Sequence, residues 1–213
     1  MKNMSKRKKS NIRSKGKETS NLKLINSAIQ SISKRGINET TVSSVSQGAG
    51  LSQGIVNFHF KSKELLLIET LKYISNEYLE AFQKRIKNSG NDPCKKIVSI
   101  IENDFDENIC NSDKIAVWYT FFSEVKFKPV YSQICKERDE YYTNVVYSIF
   151  KELINNEKNN NLSAKKLTSS LSAMTMGLWL DQLVDSENFK RNDAKNICID
   201  FIKKNFPSQV KNF

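Results

Sequence analysis

The sequence predicts an all-α protein of nine helices, and three observations carry that prediction. Apolar residues recur at three- and four-residue spacing along nearly the whole chain. No alternating Val, Ile and Thr run is long enough to make a strand pair. Capping and breaking residues, among them Thr41, Gly50, Ser62 and Asp92 followed by Pro93, fall between the periodic segments.

Taken in chain order, residues 1–18 hold eight basic side chains with serine, asparagine and almost nothing apolar, which predicts a disordered basic arm. Leu22, Ile25, Ala28, Ile29 and Ile32 lie on one face of a first helix that should end near Gly36. Thr41 is placed to cap a second helix whose inward side is Val42, Val45 and Ala49. Gly50 can take the left-handed conformation that turns the chain sharply, and Leu51 follows as an apolar plug. Ser52 is the next N-cap. The helix Gln53–Phe58 should bury Ile55 and Val56 and present Gln53, Gly54 and Asn57. Phe58, His59 and Phe60 close it, and Lys61 and Lys63 flank Ser62, the cap of a long helix reaching about Lys87. Further helices are predicted at about Pro93–Cys110, Asp113–Lys126, Pro129–Asn155, Ser163–Val184 and Asn192–Asn205.

Two short helices joined by a glycine turn and followed by lysines form a geometry that places a helix in a DNA major groove. An ordinary core hairpin would show the same spacing, but the charge distribution argues against it. Residues 1–63 carry thirteen Lys or Arg against two acids, Glu18 and Glu39, while residues 64–213 carry twenty-one of each sign. The whole excess of +11 therefore sits on the first third, as expected of a domain that displaces counterions from a polyanion. The candidate DNA contacts are Thr41, Ser52, Gln53, Gly54, Asn57, Phe58, His59 and Lys63. Amides suit base edges and ammonium groups suit phosphates. The arm is either a DNA-backbone contact or a solubilising tail.

The run from Leu22 to Tyr73, including GLSQGIVNFHFKSKELL, resembles the DNA-binding domain of TetR-type bacterial repressors, and GIVNFHFKSKE resembles the BetI branch. AVWYTFFSE at 116–124 and LWLDQLV at 178–184 resemble the C-terminal domain of that branch, more loosely. Beyond the basic arm at 1–18, the resemblance implies a helix-turn-helix domain at 19–64 and a helical effector-binding and dimerisation domain at 65–213. It implies a homodimer on double-stranded operator DNA, a small-molecule effector with choline as inducer, and control of choline-to-betaine genes. Where many relatives carry two tyrosines this chain has Asn57 and Phe58, so a hydroxyl contact to phosphate is lost and an amide is gained.

Trp118, Tyr119, Phe122 and Glu124, with Trp179 from a later helix, could form an aromatic cage with a balancing carboxylate for a quaternary ammonium group. Equally, rings at helical spacing could simply fill a core or a dimer seam. For that seam the candidates are Leu167, Leu171, Met174, Leu178 and Leu183 with Ile197, Phe201 and Ile202, and small residues Ser170, Ala173 and Gly177 would allow close approach.

Function classes narrow further. One histidine, no paired metal motif, no phosphate-cradling glycine loop and no nucleophile with an evident base argue against an enzyme, a metal site or a cofactor. No apolar run is long enough to span a bilayer and no signal sequence is visible, so a cytoplasmic location is expected. Cys94, Cys110, Cys135 and Cys198 are widely spaced and are expected to be reduced thiols. The main alternative is a TetR-type regulator of another pathway, efflux or lipid metabolism, differing in its effector pocket.

Overall fold

The structure, a computed structural model, describes the backbone of residues 2–157 and 161–212, with side chains from residue 18 onward. Among the described residues nine α-helices follow one another: α1 (Lys2–Glu39), α2 (Val42–Gly48), α3 (Gln53–Phe60), α4 (Lys63–Asn88), α5 (Pro93–Asp104), α6 (Ser112–Glu124), α7 (Pro129–Asn155), α8 (Ala164–Val184) and α9 (Arg191–Asn205). A 3-10 turn, Pro207–Asn212, closes the described chain, and there is no strand among the described residues. The all-α expectation and the nine helices hold.

Helix starts follow the local chemistry. Thr41 and Ser44 form a reciprocal capping box at α2, which satisfies two otherwise orphaned N–H groups. Ser62, Asp92, Asn111 and Ser163 cap α4, α5, α6 and α8 through their side-chain oxygens. Ser52 occupies the N-cap position of α3 but makes no side-chain cap bond, a correction to its expected role.

The head is a three-helix unit. Leu24, Ile25, Ala28, Ile29 and Ile32 of α1 are buried and pack behind Val45 of α2 and Val56 and Phe60 of α3. Regular helical geometry in α1 is interrupted at Gly36 (φ 77°), where the sequence predicts its end. The arm expected at residues 1–18 needs correction, because α1 begins at Lys2 and shows no break at residue 18. None of the three prolines lies there, so nothing stops the backbone continuing the helix upstream. The arm's side chains before residue 18 lie outside the described residues.

Helix α4 belongs to both halves. The boundary expected between residues 64 and 65 falls inside its first turn, so one continuous helix runs from Lys63 beside α3 to Phe82 in the body core. Helix α5 stops at Asp104, earlier than expected. The carboxylate of Asp106 accepts from the Asn108 N–H at 2.8 Å and bends the chain into a turn before α6.

Helix α8 corrects the expected seam. Leu167 and Leu171 are buried within the subunit, and Ile202 on α9 is too. The outward stripe is instead Met176, Leu180 and Val184, one turn apart and 41%, 46% and 78% exposed, beside exposed Ala173 and Gly177. Ile197 is exposed as expected.

Candidate functional site

Two sites emerge, one on the head and one in the body. On α3, Val56 and Phe60 face the core, while Gln53, Gly54, Asn57 and Phe58 are exposed and Ser52 is exposed just before them. Phe58 is 66% exposed, and its ring packs edge-on against His59 at 5.4 Å between centroids. His59 is half-buried, with Nε2 3.1 Å from Ser20 Oγ of α1, so its ring braces α3 as well as bordering the surface. Thr41 is exposed, but its hydroxyl oxygen accepts from Ser44 N–H at 3.0 Å. Lys63 Nζ donates to the Asn38 carbonyl at 3.0 Å and ties α4 to the end of α1. Lys61 is the exposed lysine of the pair, and it closes α3 in the left-handed conformation (φ 58°).

The expected five-residue cage is not brought together as a set. Trp118 is buried and stacks on Phe122 at 5.7 Å between centroids. Tyr119 packs edge-on against Phe122 at 5.9 Å between centroids but sends its hydroxyl to the Met176 carbonyl at 2.5 Å, and it does not line the body cavity. Glu124 is the last residue of α6, past the rings. Its charge is felt at Tyr131, whose hydroxyl is pushed up to about 12 by burial, then by Glu64 and Glu124. Glu124 is therefore not the balancing carboxylate.

The carboxylate that does line the body cavity is Asp104, which the sequence reading missed. It is fully buried at the end of α5. Its oxygens accept from Tyr78 Oη of α4 at 2.5 Å, Tyr142 Oη of α7 at 3.2 Å and Thr175 Oγ1 of α8 at 3.3 Å. Trp179 Nε1 donates to its backbone carbonyl at 2.7 Å. Burial raises the Asp104 pKa to about 7, against the pull of the three hydroxyl donors and the Arg138 charge. Tyr78 and Tyr142 are pushed well above the usual phenol range, first by burial and then by that carboxylate.

Asp104, Tyr78, Tyr142, Thr175, Arg138 and Trp179 share a cavity of about 280 Å³ between α4, α5, α7 and α8. Trp179 is the one member of the expected cage that lines it. Arg138 is buried, and its guanidinium lies 4.1 Å from the Trp118 ring centre and 5.6 Å from those of Tyr78 and Phe122. The only sequence signal for this centre was the presence of aromatic residues on helices near α6.

The body also reaches the head directly. Asp113, in the first turn of α6, accepts from Gln30 Nε2 and Ser33 Oγ of α1, each at 2.6 Å. The four cysteines are buried and unpaired with one another. Burial pushes Cys94 and Cys135 up to about 11 and Cys198 to about 12, so these thiols stay protonated and unreactive. No helix among the described residues is long and apolar enough to cross a membrane.

Comparisons with known proteins agree in both halves. Residues 93–207 match the family described as BetI-type transcriptional repressor, C-terminal, and residues 24–70 match the bacterial regulatory proteins of the tetR family. The HTH-type transcriptional regulator BetI of Stenotrophomonas maltophilia is 27% identical over 179 residues, spanning 84% of this chain and 89% of that protein. A transcriptional regulator of Pseudomonas aeruginosa shares the fold with a TM-score of 0.77 at 18% identity, over 92% of this chain and 94% of that one. A regulator from Saccharomonospora viridis in complex with choline superposes with a TM-score of 0.75 at 18% identity, over 87% and 96%.

Proposed function

We propose, for a chain that belongs to the TetR family of bacterial regulators and carries the BetI-type repressor C-terminal domain, that it represses choline-to-betaine genes and is released from its operator by choline or a similar compact cation. Membership makes it a DNA-binding transcriptional repressor and not an enzyme. Regulators of this family bind operator DNA as dimers and respond to small molecules. The specific effector, the seam and the contact residues are our reading. A repressor of this kind acts in the cytoplasm, where its operator is.

The observation that carries the effector is the buried Asp104 carboxylate in a small cavity walled by Tyr78, Tyr142 and Trp179. Ring faces and a carboxylate attract a permanent cation that has little hydration to lose. A volume of about 280 Å³ suits a compact ligand. A buried charge also opposes a long acyl chain, which could neither pair with it nor hydrate it.

On the head, Gln53 and Asn57 present amides to base edges, Gly54 lets the backbone approach, and Lys61 reaches phosphate. Ser52, Thr41, Phe58 and His59 border that face. Lys63 serves chiefly to anchor α4, given its bond to Asn38. Two heads joined through the Met176, Leu180 and Val184 stripe would meet successive major grooves on one side of a palindrome. Effector in the cavity acts on Tyr78 of α4, the helix that begins beside α3, and so alters the spacing of the heads.

The decisive experiment titrates labelled operator DNA with the protein, with and without choline. Choline should weaken operator binding, and linkage requires saturating operator to weaken choline binding by the same factor. Operator affinity indifferent to choline would reject the effector assignment, and release by an acyl thioester or a hydrophobic drug instead would place the chain in lipid or efflux control.

A further inference from the structure

The cavity already holds a cation, and it is the protein's own. The Arg138 guanidinium lies 4.1 Å from the Trp118 ring centre, with Tyr78 and Phe122 each at 5.6 Å, while the residue is only 7% exposed. Three ring faces around one positive group is the arrangement that recognises quaternary ammonium ligands. Arg138 lines the open space and Trp118 does not, so the guanidinium stands between the indole and the cavity.

We propose that the Trp118 face, flanked by Tyr78 and Phe122, is the seat of the effector's cationic head, and that Arg138 occupies it as a built-in stand-in until the effector displaces it. The inference rests on the cationic-effector reading above and adds the place and the exchange.

Charge balance favours exchange over addition. The charged groups facing this space are Asp104 of α5 and Arg138 and Asp139 of α7, and α4 and α8 contribute only neutral Tyr78, Ser172, Thr175, Met176 and Trp179. A second cation beside a seated guanidinium would be repelled at short range in a poorly hydrated space. A one-for-one swap avoids that repulsion. Arg138 also has a way out, because its Nε donates to Asp139 Oδ1 at 2.8 Å and the Asp139 side chain is 55% exposed. The guanidinium can therefore move toward water without losing its counter-charge.

The exchange would be felt at the head. Trp118 and Phe122 sit on α6, and the first turn of that helix grips Gln30 and Ser33 of α1 through Asp113. Replacing a planar guanidinium with a rounder head changes how α6 rests against α7.

The test uses the full-length protein labelled with ¹⁵N, whose six arginines give a sparse side-chain spectrum. On adding choline, the Arg138 Nε–H signal should shift and exchange faster with solvent, while the other arginines stay put. In calorimetry, Arg138→Ala should bind tetramethylammonium about five-fold more tightly than the wild type, and Trp118→Leu should abolish that gain. An Arg138 signal unmoved while choline is bound overturns the seat, as does unchanged or weaker binding by a folded Arg138→Ala. If Arg138→Ala fails to fold, the wild-type spectrum alone decides. Operator release by choline with a static Arg138 signal rejects this inference but leaves the proposed function standing. No binding of either cation to either protein rejects both.

Discussion

Tyr78 donates its hydroxyl to Asp104 at 2.5 Å, joining the helix that begins at the DNA-reading pair to the floor of the body cavity. The bond is buried, whereas the other polar link between the two helices, the Arg85–Glu102 ion pair at 3.5 Å, is exposed. Tyr78→Phe should keep the ring and remove the donor. We expect a loss of about 1–2 kcal/mol in unfolding free energy, nearly unchanged operator affinity without effector, and a weaker response to choline. A full choline response in this variant would show that Tyr78 carries no signal.

Cation binding should depend on pH through Asp104. Its pKa is raised to about 7 by burial, so the fold favours the protonated form. The associated stability is fully present below the usual carboxylate range and is lost as pH rises through about 7. A bound cation favours the ionised form, so choline affinity should rise with pH across that point and binding should release a proton. Calorimetry in buffers of different ionisation enthalpy measures that proton, and Asp104→Asn should flatten the profile.

The two surfaces of the reading helix should separate in their effects. Asn57→Ala should lower discrimination between the operator and single-base variants by about 1–3 kcal/mol at one position. Lys61→Gly should weaken binding evenly across sequences and reduce the salt slope by about 1. It should also stabilise the fold by up to about 1 kcal/mol, because glycine relieves the left-handed backbone at φ 58°. Mobility shifts at several salt concentrations and a thermal melt read both.

Leu180→Glu places a charge in the middle of the exposed α8 stripe. The variant should sediment as a monomer with an intact helical spectrum. Operator affinity should fall by about 100-fold or more, the loss expected when two linked heads become independent. A dimer that survives the charge would put the seam elsewhere.

Gly48→Ala tests the head's packing. A Cβ there would collide with Ser27 Oγ, which donates to the Val45 carbonyl at 2.8 Å in the buried α1–α2 contact. Displacing that hydroxyl should cost about 1–2 kcal/mol. Adding Ser27→Ala should recover part of it, and thermal unfolding of the two variants decides the matter.

The sequence alone determined the helices, their order and the reading head. Caps such as Thr41 with Ser44, Ser62, and Asp92 before Pro93 act within four residues, and the turn at Gly50 needs only its own left-handed backbone (φ 65°). The face of α3 follows from helical periodicity once Val56 and Phe60 are seen to point inward. Even so, the fate of Lys63 was not legible, because its bond reaches back twenty-five residues to Asn38.

Only the tertiary structure decided the body site. Glu124 looked like the cage's carboxylate because it neighbours the rings in sequence, but the end of α6 carries it past them. Asp104, Tyr78, Tyr142, Arg138 and Thr175 come from four helices and share no local pattern, so nothing short of packing could gather them. The same is true of the α8 stripe: leucines at 167 and 171 and the exposed Leu180 are alike in sequence, and burial against neighbouring helices alone separates core from exposed surface. Caps and turns are set by bonds a few residues long, whereas a cavity is set by the contacts of distant helices, and that difference in range divides what could be read from what had to be seen.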